Sequence, residues 1–218
     1  MAEIRGEYRD EPSTAMLVGS YVDAHFSGTL DLFRGQNPGI FKRDGSLKSE
    51  FEQANEIINR IECDELMMHY LSGQHQVIKT GNIAGVPFKI KIDSYSPGDW
   101  IVDQKIMRDF NRVWKDGAYK SFIEAWGYEY QAAIYQAVEG NQLPFIIAGA
   151  TKESVPDIEL LSIPQEVIDD RMEMISDLAP RYQAIKLGLE EPSRCGRCPY
   201  CRSKKILTRV IDYREIGV

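Results

Sequence analysis

Eight residues of strict alternation constrain this chain more than any other stretch. Val86, Phe88, Ile90 and Ile92 alternate with Pro87, Lys89, Lys91 and Asp93. Such a period of two marks a strand with one buried face. A second strand, Trp100-Ile101-Val102-Asp103-Gln104-Lys105, follows the segment Ser94-Tyr95-Ser96-Pro97-Gly98-Asp99, whose Pro-Gly carries turn chemistry. Lys89, Lys91 and Asp93 share one face of the first strand, and Ile101, Asp103 and Lys105 share one face of the second. A hairpin therefore brings Asp93, Asp103 and Lys105 together. Two carboxylates beside an ammonium suit a hard divalent cation, Mg2+ or Mn2+, with an activated water. The same residues, taken alone, also fit an exposed hairpin with ordinary surface charges.

A downstream stretch favours chemistry. Gln131-Ala132-Ala133-Ile134-Tyr135 places Gln131 and Tyr135 on one face of a helix. The ordered set Asp93, Asp103-Gln104-Lys105 and Gln131-x-x-x-Tyr135 resembles the PD-(D/E)xK nuclease superfamily, specifically its RecB-like and RecE-like branch of phage or prophage exonucleases. The resemblance runs from about Pro12 to the cysteines near the C-terminus.

The resemblance implies an α/β fold with a central mixed β-sheet flanked by helices, a restriction-endonuclease-like core. It implies exonuclease action on linear double-stranded DNA ends, 5′→3′, leaving a 3′ strand for a RecT-like single-strand annealing protein in phage-type recombination. It also implies a homo-oligomeric ring. In its terms Asp93 and Asp103 bind Mg2+, with the Gln104 backbone carbonyl as a further ligand. Lys105 orients or deprotonates the attacking water and offsets phosphate charge; as a base it needs a lowered pKa. Gln131 and Tyr135 position phosphate or water. A Gly-Ser/Thr-x-x-His helix in this branch carries a histidine near the metal. Here His25, at a longer spacing behind Gly19-Ser20, takes that place as a metal ligand or a contact to the DNA end. Many superfamily members have a glutamate on the strand upstream; this chain has Gln76, which either holds a metal-bound water or plays no catalytic part.

Charge and hydropathy narrow the class. The net charge of −7 excludes a uniformly basic surface and weakens long-range steering toward DNA. Basic residues are local: Arg108, Arg112, Lys115 and Lys120 follow the triad, and Pro192 to Ile211 holds six Lys/Arg with no Asp/Glu. No apolar run approaches the roughly 20 residues of a membrane helix. The first residues have no signal-peptide core, so a cytoplasmic location is expected. Residues 1–10 read as the end of a helix or an arm.

Further along, Ala15–Phe26 is predicted helical with Ser13 or Thr14 as its cap. Gly28–Ser46 reads as loop, and residues 47–71 as helix, with Cys63 buried in it. A short strand covers 74–79. Residues 106–117 read as a crossover and 118–139 as one long helix, whose apolar side of Tyr119, Phe122, Ile123, Trp126, Tyr130, Ile134 and Val138 is expected in the core, with stacking of its aromatics on DNA as the alternative reading. An apolar strand at 143–150, an edge strand at 157–163 and a helix at 165–187 opened by Pro164 complete the pattern.

Cys195-Gly-Arg-Cys198-Pro-Tyr-Cys201 spaces three thiols as in zinc or iron–sulfur sites. Some RecB-like nucleases hold such a cluster with a fourth cysteine N-terminal to the nuclease motifs; here either Cys63 is the fourth ligand or the segment that carries it is lacking. The domain reading is residues 1–190 as the nuclease domain and 191–218 as a cysteine-containing tail packed on it. Two other readings stay open: a catalytically silent DNA- or protein-binding module with the same fold, and an endonuclease. A structural metal-binding adaptor explains only the cysteines.

Overall fold

The computed structural model describes residues 11–215. The chain divides into two compact units. One spans Pro12–Pro180; the described part of the other is Arg181–Glu215 with Glu11. The predicted arm at residues 1–10 lies outside the described residues.

The first unit begins with α1 (Thr14–Phe26), capped by the Ser13 hydroxyl, which accepts from the Met16 N–H. The stretch Gly28–Ser46, read as loop, contains α2 (Leu30–Gln36) and a 3-10 turn (Pro38–Ile40). α2 has only seven residues, none of them buried, and so carries no amphipathic signature. The helical stretch 47–71 is two helices, α3 (Ser49–Glu62) and α4 (Glu65–Leu71). They break at Cys63 and Asp64, and the Asp64 carboxylate caps the second. Cys63 is exposed, not buried: it is the C-cap of α3, beyond the face that Phe51, Ala54, Ile57, Ile58 and Ile61 bury.

The sheet follows as β1 (Gln74–Ile83), β2 (Val86–Ser96) and β3 (Trp100–Met107). A small hairpin of β4 (Val113–Lys115) and β5 (Ala118–Lys120) stands where a crossover and the start of a helix are expected. The predicted long helix is likewise two, α5 (Phe122–Trp126) and α6 (Tyr128–Glu139). Ser121 and Glu124 form a reciprocal capping box that starts α5. Gly127, at φ 72°, ends it in the left-handed conformation that a side chain resists. Then come β6 (Phe145–Thr151), β7 (Ile158–Ser162) and α7 (Gln165–Lys186).

The five strands order as β1-β2-β3-β6-β7. The β3–β6 pair is parallel and the other three are antiparallel, so the sheet is mixed and β7 lies at an edge. Alternation along the central strands splits the core in two. Val102, Ile146 and Ala148 pack with Tyr21, Val22, Phe51 and Ile57 of α1 and α3. Ile101, Phe145 and Ile147 pack with Ala132, Ala133, Ile168 and Ile175 of α6 and α7. Each fully buried Ile contributes about 1.5–3 kcal/mol, and this two-sided burial fixes the register of β3 on which the site depends. Among the described residues, no helix is long and apolar enough to cross a membrane.

Candidate functional site

The site forms where two strands part. β2 pairs with β3 only through Ser94, Tyr95 and Ser96 opposite Val102, Ile101 and Trp100. β3 runs on against β6 as far as Met107 opposite Thr151. At this fork the Gln104 N–H donates to Asp93 Oδ2 at 3.0 Å. A carboxylate thus replaces the missing strand carbonyl, which satisfies a buried donor and fixes the acid.

The neighbouring ladder breaks at the same level. His75 and Val77 pair with Ser94 and Ile92, whereas Gln76 between them takes φ 55°. Its amide Nε2 donates to Asp23 Oδ1 at 3.0 Å and to Asp93 Oδ1 at 3.4 Å. Gln76 therefore bridges two acids and is not itself one. Asp23 comes from α1, one turn after Gly19, whose Cβ position lies 3.8 Å from Ile106 Cβ on β3. That contact lays this face of the helix over the fork.

Asp103 is 2% exposed. Gln131 of α6 donates an amide hydrogen to its Oδ1. Its Oδ2 forms an ion pair with Lys105 Nζ at 2.5 Å. Lys105 Nζ also lies 5.0 Å from the Tyr128 ring centroid, a cation–π arrangement. Asp23, Asp93, Gln104, Lys105 and Tyr128 all line one cleft of about 780 Å3.

The electrostatics describe a site short of positive charge. Burial, then repulsion from Asp103 and Asp23, pushes the Asp93 carboxyl up to about 7. Burial also raises Asp103, against the pull of Lys105 and Gln131. Lys105 moves opposite to what a neutral base requires. Burial lowers its pKa, but Asp103 and Asp93 outweigh burial and hold the ammonium form above the ordinary lysine range. Asp93 and Asp103, with Asp23 linked to Asp93 through the Gln76 amide, outnumber the single ammonium of Lys105. A hard divalent cation fits this donor set.

Not every predicted residue joins the cluster. His25 Nε2 lies 2.8 Å from Glu62 Oε1 on α3, and His25 does not line the cleft. It stands two residues from Asp23, hence on a different helix face. The Tyr135 hydroxyl donates to the Lys91 carbonyl at 2.7 Å rather than to a carboxylate. It pins β2 two residues before Asp93. For Gln104 the structure gives a backbone donor toward Asp93, with a buried side-chain Nε2 left unpartnered. Asp23 and Tyr128 were missed from the sequence. The signal for Asp23 was present: Gly19-Ser20-x-x-Asp23 has the Gly-Ser/Thr-x-x-His spacing with aspartate in the last position. No comparable signal marks Tyr128.

In the second unit, Cys195, Cys198 and Cys201 bring their sulfurs within 4.8 Å of one another, exposed or half-buried. The N–H groups of Cys198 and Cys201 donate to the Cys195 and Cys198 sulfurs at 3.3 and 3.4 Å. Backbone donors from Cys198 and Arg197 draw the Cys195 thiol down to about 6, toward the thiolate that metals bind.

Residues 1–204 match the family model described as a PDDEXK-like domain of unknown function (DUF3799). A crystal structure of a provisionally assigned exonuclease from Eubacterium rectale is 45% identical and superposes with a TM-score of 0.92, covering 100% of this chain and 85% of that one. No curated protein matches the chain.

Proposed function

We propose a deoxyribonuclease activity for this chain, which belongs to the PDDEXK-like family of the PD-(D/E)xK nuclease superfamily. The proposed reaction is hydrolysis of DNA phosphodiester bonds, dependent on Mg2+ or Mn2+, and the proposed substrate is a linear duplex degraded from an end. The observation that carries this reading is the convergence of Asp23, Asp93 and Lys105 on one cleft at the strand fork, with the buried Asp103 paired to Lys105 behind them. The exonuclease assignment of the Eubacterium rectale protein supports action at an end. Polarity of 5′→3′, ring assembly and hand-over to an annealing protein are the parts of the proposal that rest on the family resemblance.

Asp93 and Asp103, with Asp23, would hold the cation, which lowers the pKa of water and offsets charge on the phosphate. The chain's own residues do the rest. Gln104 N–H and Gln76 orient Asp93, and Gln131 orients Asp103. Lys105, held as an ammonium, offsets charge that builds on the phosphate oxygens. Tyr135 acts through the strand it pins, as a positioning residue. His25, tied to Glu62, stands outside this machinery. The cysteine cluster is proposed to take zinc or an iron–sulfur cluster in a structural role.

The test is digestion of end-labelled linear duplex beside closed circular DNA, with Mg2+ or Mn2+ and Lys105→Ala as control. Loss of the linear substrate alone, abolished by the substitution, is expected. Cutting of the circle would make the protein an endonuclease. Cutting of neither by a folded protein would leave a silent binding module.

A further inference from the structure

The core reading of two aromatic residues fails in an informative way. Tyr119 and Trp126, expected on the buried side of a helix, are 66% and 60% exposed. Trp126 sits at the end of α5 and lines the same cleft as Asp93 and Lys105. Val113, Phe122 and Tyr128 extend an apolar wall from it toward the acids. The Lys115 ammonium lies 4.9 Å from the Trp126 ring centroid, over one face of the indole, and donates to the Ala125 carbonyl.

We infer that this wall, centred on Trp126, binds the unpaired bases of a DNA strand entering the carboxylate cluster. The inference rests on the nuclease reading of that cluster and adds to it the form of the substrate: a single-stranded end or extension. Three observations favour it. Contacts to phosphates need cations and hydrogen-bond donors, not an exposed indole, whereas base faces stack on aromatic rings whatever their sequence. Residues 105–128 hold five Lys/Arg against three Asp/Glu in a chain of net charge −7, so the segment bearing the wall is locally basic and compatible with a polyanion. The cleft volume of about 780 Å3 is that of a small-molecule site, roughly 300–1,000 Å3. That volume matches one or two nucleotides.

The experiment measures binding apart from cleavage. Fluorescein-labelled duplexes, blunt or with a short single-stranded extension at either end, are titrated by anisotropy with the Asp103→Asn protein and no divalent cation. The extended duplex should bind about tenfold more tightly than the blunt one, within the range of one stacked base. Adding Trp126→Ala should erase that preference, and adding Trp126→Phe should keep it, with thermal melting showing each variant folded. Equal affinity for both duplexes, or a preference that survives Trp126→Ala, would overturn the inference. Cleavage of the same duplexes by the unsubstituted protein with Mg2+ is scored separately. A stacking preference without any cleavage would refute the nuclease reading and leave the base site standing.

Discussion

Two clusters in this chain have the residues to hold metal, and they are built in opposite ways. The carboxylate cluster draws Asp23, Asp93 and Asp103 from a helix and two strands, and around it Gln76, Gln104, Lys105 and Gln131 supply hydrogen bonds or charge. The cysteine cluster lies within seven consecutive residues, and its own backbone N–H groups serve its sulfurs. Burial raises the carboxyls of the first; hydrogen bonds at an exposed site lower the Cys195 thiol of the second. Hard oxygen ligands in a cleft suit exchangeable Mg2+ and substrate phosphate, while soft thiolates suit a retained zinc or iron–sulfur centre.

The largest expected effect breaks the first cluster. Lys105→Ala or Asp103→Asn should lower DNA cleavage about 10²–10³-fold, read from initial rates on linear duplex, with the circular-dichroism spectrum unchanged. Next, Asp23→Asn should cost about 10–100-fold, while His25→Ala should stay within about threefold. The reverse ranking in the same rate assay would return the helix to the histidine reading.

A third change is read in stability. Unfolded aspartate titrates near 3.9, and folded Asp93 near 7. The folded state thus binds more protons between those values. Stability of the metal-free protein should fall as pH rises from about 4 to about 7 and then level off. Asp93→Asn should reduce that fall, leaving the part due to the raised Asp103 carboxyl, and raise the melting temperature at pH 8, by about 2–4 °C per kcal/mol recovered, as scanning calorimetry would show. The smallest effect concerns the cysteines. Replacing all three with serine should empty the protein of zinc and iron by elemental analysis, yet leave cleavage within about threefold.

The same contrast explains what the sequence revealed. The cysteine cluster is local, so its spacing shows it directly. The hairpin pattern places Asp93, Asp103 and Lys105 because successive side chains on a strand point to opposite faces, so Asp103 and Lys105 share one face whatever lies between them. Asp23 escaped notice because a histidine two residues later matched the expected residue type, and only the helix packing tells which of the two faces the fork. Trp126 and Tyr119 were read as core because a continuous helix puts them on its apolar face. Gly127 and the Ser121 capping box break that helix, and the two residues turn outward. The polarity of the Lys105 shift was also out of reach, since it depends on how closely Asp103 approaches the amine.

The most direct test of the central claim, that the acids at the fork form the working metal site, is calorimetric titration of Mn2+ into the protein at pH 6.5 and pH 8. Binding should be tighter at pH 8, because the Asp93 proton must leave first. It should be lost in Asp93→Asn and retained in the triple cysteine-to-serine protein. Mn2+ binding that survives Asp93→Asn, or that disappears with the cysteines, would contradict the account.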